Sequence, residues 1–207
     1  MSDNTAAGPA ILYEELGEGI IQIRLNRPDR LNALGVDMVK DLMAAVQKAI
    51  ALPARVLLIR GSGRAFCAGA DLKERRGMDD AAKVAHNRAI NAAVDALDAA
   101  PMPTIAVLNG LALGGGCEIA VAAARRVAHM ESYVGLVEVG VGLIPGGGGL
   151  TYIARRAAEK AALTGAADLL PGLKDAFQAA AMATVGTSAI ESRKLGYLLG
   201  EIGRAHV

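Results

Sequence analysis

Hydrophobic and polar positions recur along the chain with two different periods. Ile21, Ile23 and Leu25 alternate with Gln22 and Arg24, the two-residue repeat of a strand with one buried face. The LGEG before them, residues 16–19, supplies the turn of a hairpin that begins near Ile11. The period then changes. Val39, Leu42, Met43, Val46 and Ile50 fall at i, i+3, i+4, i+7 and i+11, one face of an amphipathic helix that Pro53 closes. The apolar run Val56, Leu57, Leu58, Ile59 predicts a strand, Asp79 to Ala99 a long alanine-rich helix ended by Pro101 and Pro103, and Thr104 to Leu108 another short strand. Further on, Ser188 and Glu191 in TSAIE have the spacing of a capping box and predict one more terminal helix. Strands and helices in alternation make an α/β domain.

Composition narrows this picture without selecting a function. A chain of 207 residues that is 53% hydrophobic can bury one sizeable core, which suggests one domain. Lys and Arg number 22 against 21 Asp and Glu, a net charge of +1, so no nucleic-acid footprint is expected. Residues 1–10, MSDNTAAGPA, read as a flexible N-terminus with no basic segment leading into an apolar one, and no long uncharged span follows. The expectation is a cytoplasmic protein without membrane partners. Cys67 and Cys117 lack CxxC or Cys/His ligand spacing and are expected to be free, buried thiols of a reducing compartment.

Candidate chemistry gathers around two glutamates. Glu118 follows Gly114, Gly115 and Gly116 and precedes the apolar run Ile119 to Ala124, which reads as a helix starting within the glycines. Such a start presents unpaired amide donors and a positive dipole end, suited to developing negative charge. A flexible bend carrying an ordinary first-turn acid accounts for the same residues. Glu138 sits in GLVEVGVGLIPGGGG, ahead of Ile144, Pro145 and four glycines; on its own it reads equally as a solvated acid at a strand end. Two carboxylates facing one site divide acid and base roles when their environments separate their pKa values.

The blocks SGRAFCAGADLKE, then PTIAVLNGLALGGGCEIAVAA, then GLVEVGVGLIPGGGG, in that order and at these spacings, resemble the enoyl-CoA hydratase (crotonase) superfamily. The likeness runs from near Ile11, through NRPDRLNAL, to about Gly149. It implies a spiral of ββα units over residues 11–163 and a shortened helical C-terminal segment over 164–200. By that resemblance the amides of Ala70 and Gly115 form an oxyanion hole for a thioester carbonyl. Glu118 would hold and activate water while Glu138 delivers a proton to C2. The substrate would be a 2-enoyl-CoA, with no separate cofactor because coenzyme A belongs to the substrate; no metal is expected, since the histidines lack ligand spacing. Arg27, Arg30, Ala68, Gly69, Asp71, Lys73, Gly114, Pro145 and Gly146 are the candidate substrate-binding residues, the basic ones for phosphates and the backbone near Ala68 for adenine. The polar stretch from Glu74 to Asp80 gives no estimate of acyl length. The family also implies fatty-acid or related acid breakdown and a trimer-based homo-oligomer. Enoyl-CoA isomerisation, needing only one carboxylate, and a non-catalytic acyl-CoA-binding fragment are the other readings.

Other chemistries find less in the sequence. His86, His129 and His206 have no HxxxH or HExxH spacing, Ser62 and Ser132 no G-x-S-x-G context, and the glycines at 146–149 no following Lys-Ser/Thr. From Ala124 onward the chain looks more like the hydratase-type region of multifunctional 3-hydroxyacyl-CoA dehydrogenases, whereas the first half looks like a free-standing hydratase. A natural hybrid and a joining of two related genes both account for the switch. The final EIGRAHV, residues 201–207, resembles a translated sequencing-library adapter, which would make it a non-biological tail on a truncated chain; a short polar tail accounts for the same residues.

Overall fold

A computed structural model describes residues 8–166 and 168–198; the expected adapter-like tail, His206 and most of the flexible N-terminus lie outside those residues. The chain opens with the hairpin, β1 (Ile11–Glu15) antiparallel to β2 (Ile20–Leu25), with Ile11 opposite Leu25. Ile21, Ile23 and Leu25 are buried, as their two-residue period requires. Helix α1 (Val36–Ala51) then lays Val39, Leu42 and Val46 into the core.

Three similar circuits follow, each a strand, a sharp turn, a shorter strand and a helical segment. The first holds β3 (Val56–Gly61), β4 (Ala65–Cys67), α2 (Leu72–Arg75) and α3 (Asp80–Asp98). The second holds β5 (Thr104–Leu108), β6 (Leu111–Leu113) and α4 (Gly115–Ala122). The third holds β7 (Arg125–Ala128), β8 (Tyr133–Gly135), a 3-10 turn over Glu138–Val141 and α5 (Gly149–Thr164). The longer strands extend the hairpin into a five-stranded sheet in the order β1-β2-β3-β5-β7, parallel from β2 onward. The shorter ones stack in parallel as β4-β6-β8. Parallel neighbours need long crossovers, and the helices are those crossovers; the result is a spiral that winds two sheets at once. Ile23, Ile59 and Ala106 fill one layer of its core, Phe66, Ile119 and Leu136 another.

Local signals explain most element boundaries. The Asp79 carboxylate accepts from the Ala82 N–H at 2.7 Å and starts α3. Helix α1 has no side-chain cap at Gly35; the Glu74 carboxylate, from α2, accepts from its first N–H, on Val36, at 3.2 Å. Two further helices close the described chain, α6 (Leu170–Ala181) and α7 (Ala189–Lys194). The capping box expected at α7 is half realised. The Ser188 hydroxyl accepts from the Glu191 N–H at 3.1 Å, but Glu191 reaches past Ser188 to accept from the N–H and hydroxyl of Thr187 at 2.8 and 2.6 Å. Tyr197, 1% exposed, anchors this segment: its hydroxyl accepts from the Leu136 N–H at 3.4 Å. No described helix is long and apolar enough to cross a membrane.

Candidate active site

The site forms where the turns after β4 and β6 meet. Leu34 donates its N–H to the Gly69 carbonyl at 2.8 Å and accepts from the Asp71 N–H at 3.1 Å, so it brackets Ala70 in a parallel bridge. Successive amides of extended chain point to opposite edges; the Ala70 N–H therefore faces away from Leu34. On that side lies the second turn. A Cβ on Gly69 would sit 2.8 Å from the Leu113 carbonyl oxygen and 3.5 Å from the Gly115 nitrogen. Its φ of +90° also calls for glycine. Gly115 is the first residue of α4, so its N–H has no acceptor within the helix. Ala70 and Gly115 line one cavity of about 200 Å³.

Glu118 and Glu138 line the same cavity. Glu118, in the early part of α4, is 3% exposed, and its Oε1 accepts from the amides of Gly147 and Gly149 at 2.6 and 3.1 Å. A Cβ on Gly147 would lie 2.2 Å from the Glu118 Oε2, so the glycine run after Pro145 is what lets the backbone close on this carboxylate. Burial raises the Glu118 pKa, and the two amides oppose the rise. Glu138 opens the 3-10 turn, half-buried, with its Oε2 sealed from solvent and without a hydrogen-bond partner. Burial pushes its pKa up to about 7, the charge of Glu118 adding to the effect while its own and the Val137 backbone amide oppose it. Cys117 is buried, and its thiol is held well up by burial and by the charges of both glutamates. Burial likewise holds Cys67 up at about 12.

The other sequence candidates divide by location. Gly146 lines the glutamate cavity, where its carbonyl accepts from the Asn91 amide at 2.9 Å; Pro145 is buried behind it. Gly114, at φ +52°, donates to the Gly135 carbonyl at 2.9 Å. Ala68 donates to the Leu31 carbonyl at 3.0 Å. Arg27, Arg30 and Asp71 line a second, smaller cavity of about 160 Å³. There Arg30 pairs with Asp71 at 2.8 Å, Asp71 also caps α2 through the Lys73 and Glu74 amides, and Arg27 donates to the Gly8 carbonyl at 2.6 Å. Lys73 projects into solvent from α2.

Three further polar side chains line the glutamate cavity, Arg75, Asn87 and Asn91, beside the apolar Ile90, Leu143 and Ile144. Their segments read as a polar linker and a helix surface, and only the spacing of Asn87 and Asn91, one turn apart, hinted at a shared face. A larger cavity, about 740 Å³, lies between α1 and α3, but apart from Lys40, Gln47 and His86 it is lined by aliphatic side chains. Among the described residues no His/Cys/Asp/Glu cluster is arranged to hold a metal.

Comparison with known proteins gives this geometry a family. Residues 15–168 match the enoyl-CoA hydratase/isomerase family model. The chain is similar to the hydratase/isomerase YngF of Bacillus subtilis, 39% identical over 150 residues (72% of this chain, 58% of the relative). It is also similar to human mitochondrial methylglutaconyl-CoA hydratase, 40% identical over 144 residues (69% and 42%). It thus spans about half the length of the curated relatives it matches. An enoyl-CoA hydratase structure from Bacillus anthracis superposes with a TM-score of 0.82 at 28% identity, over 95% of this chain and 70% of that one. Sequence and spiral together show that the chain belongs to the enoyl-CoA hydratase/isomerase family and has the crotonase fold.

Proposed function

We propose that this chain hydrates 2-enoyl-CoA thioesters reversibly to 3-hydroxyacyl-CoA. The observation that carries the reading is the convergence of two unpaired amides, Ala70 and Gly115, and two carboxylates, buried Glu118 and half-buried Glu138, on one cavity. The amides receive the thioester oxygen as it gains charge. Water lies between the carboxylates; its oxygen bonds to C3 while Glu138 delivers a proton to C2, and the proton the water releases resets the carboxyl pair. A Glu138 pKa of about 7 keeps a substantial protonated fraction at neutral pH, as a general acid requires. Glu118, anchored by two amides, is the better-placed partner to hold the water. Isomerisation would need one carboxylate only, so the carboxylate pair favours hydration.

The same reading takes in fatty-acid or related acid breakdown, a cytoplasmic setting and a trimer-based homo-oligomer; exposed Phe177 and Leu163 offer apolar surface of the kind that oligomers cover. Product analysis tests the reaction. Crotonyl-CoA should give 3-hydroxybutyryl-CoA, and Glu118→Gln or Glu138→Gln should lower kcat by about 10²-fold or more. Conversion of a 3-enoyl-CoA to the conjugated isomer without water addition would assign isomerisation instead, and binding without turnover would leave a thioester-binding protein.

A further inference from the structure

Arg75, the last residue of α2, is only 8% exposed. A guanidinium is a cation, and a charge withdrawn from water is normally paired. Among the described residues no carboxylate lies within ion-pair distance of it; one hydrogen bond runs from its Nη1 to the Asn87 Oδ1 at 2.5 Å. The acids nearest in sequence are committed elsewhere. Asp71 pairs with Arg30 and caps α2, while Glu74 accepts from the first amide of α1. Yet Arg75 and Asn87 line the glutamate cavity, and the hydration just described uses neither.

We infer that Arg75, steadied by Asn87, receives a carboxylate carried by the acyl group, so that the substrates are short 2-enoyl-CoA thioesters with a terminal carboxylate. The inference rests on the acyl-CoA reading of the site and deepens it. A carboxylate matches the fork of a guanidinium and supplies the counter-ion that the fold omits. A plain alkyl chain at the same place would cover the cation without pairing it, and such a mismatch discriminates between substrates more strongly than a missing methylene does. The cavity volume of about 200 Å³ fits a short acyl group. Phosphates of coenzyme A are the other anionic source, and the test separates the two.

The saturated, unreactive esters glutaryl-CoA and butyryl-CoA are titrated calorimetrically into the wild-type chain, Arg75→Met and Arg75→Lys, each checked for folding by circular dichroism. The ratio of the two dissociation constants is read, since both esters share the same coenzyme A. The wild type should bind glutaryl-CoA about tenfold more tightly or better, the range of one charge-assisted hydrogen-bonded contact. Arg75→Met should erase the preference and Arg75→Lys keep part of it; Asn87→Ala should weaken it if Arg75→Met fails to fold. Equal binding of both esters to the wild type, or an unchanged ratio in the variants, overturns the inference alone. Equal weakening of both esters by Arg75→Met assigns the cation to the phosphates and also overturns it. Failure of the wild type to bind either ester overturns the acyl-CoA reading as well.

Discussion

Glu138 carries the sharpest expectations at the scale of single residues. Its carboxyl ionises near 7 instead of near 4.5, so the folded state binds the proton more tightly than the unfolded chain does. The resulting penalty is absent below about pH 4.5 and fully present above about pH 7. The shift corresponds to at most about 3 kcal/mol, and solvent screening at this half-buried group leaves on the order of 1–2 kcal/mol. Glu138→Gln should therefore gain about that much stability at pH 8 and little at pH 4.5, read by urea denaturation. His86 gives the opposite sign. Burial, and then the Arg75 cation, lower its pKa, with Glu74 and the Leu34 and Gly35 carbonyls opposing; neither ring nitrogen has a hydrogen-bond partner. Stability from a neutral His86 is present above about pH 6.5 and lost as the pH falls below it. His86→Leu should lessen the fall in Tm between pH 7.5 and 5.5, with Lys40 of the facing helix untouched.

At the scale of elements, close backbone approach matters more than any one side chain. Gly147→Ala would drive a Cβ to 2.2 Å from the Glu118 carboxylate. It should cost about 1–3 kcal/mol and displace Glu118, which thermal denaturation beside a crotonyl-CoA assay would register as linked losses. How much could be read beforehand also divides by element. The strand before Arg27, helix α1 and helix α3 repeat their periods long enough to be predicted. The strands of three residues, β4, β6 and β8, are too short to establish a two-residue repeat, and α2 has only four residues. Arg75 stayed hidden for that reason: it sits in a stretch that reads as solvated, and the wall it joins is assembled from α3 and the loop near Gly146. Asn32 shows the same limit. Fully buried in the left-handed region at φ +55°, it ties Ser62 and Ala65 carbonyls together, contacts about thirty residues away that no local pattern encodes. The glycine signal for the start of α4 was legible because the chemistry of a helix start is local; the facing of Glu138 toward Glu118 was expected from the family resemblance, since a lone acid before a glycine run has no direction.

For the whole molecule, the described C-terminal segment is tied to the strand that leads to Glu138 by an antiparallel bridge between Gly186 and Val134 and by Tyr197. Tyr197 is the largest fully buried side chain among the described residues and contacts the Leu136 amide, while its carbonyl accepts from the Tyr152 hydroxyl at 3.5 Å. Tyr197→Ala should cost about 3–5 kcal/mol and loosen the wall that carries Glu138, since Leu136 lies two residues before it. The fold thus makes the last described turn part of the same cooperative unit as the carboxylate pair. The most direct test of the central claim is the loss of conjugated enoyl-thioester absorbance when the purified chain meets crotonyl-CoA, followed across pH. The account predicts turnover whose kcat/KM falls as the pH rises through about 7, where Glu138 gives up its proton; a folded chain that binds crotonyl-CoA and leaves its absorbance unchanged at every pH would contradict it.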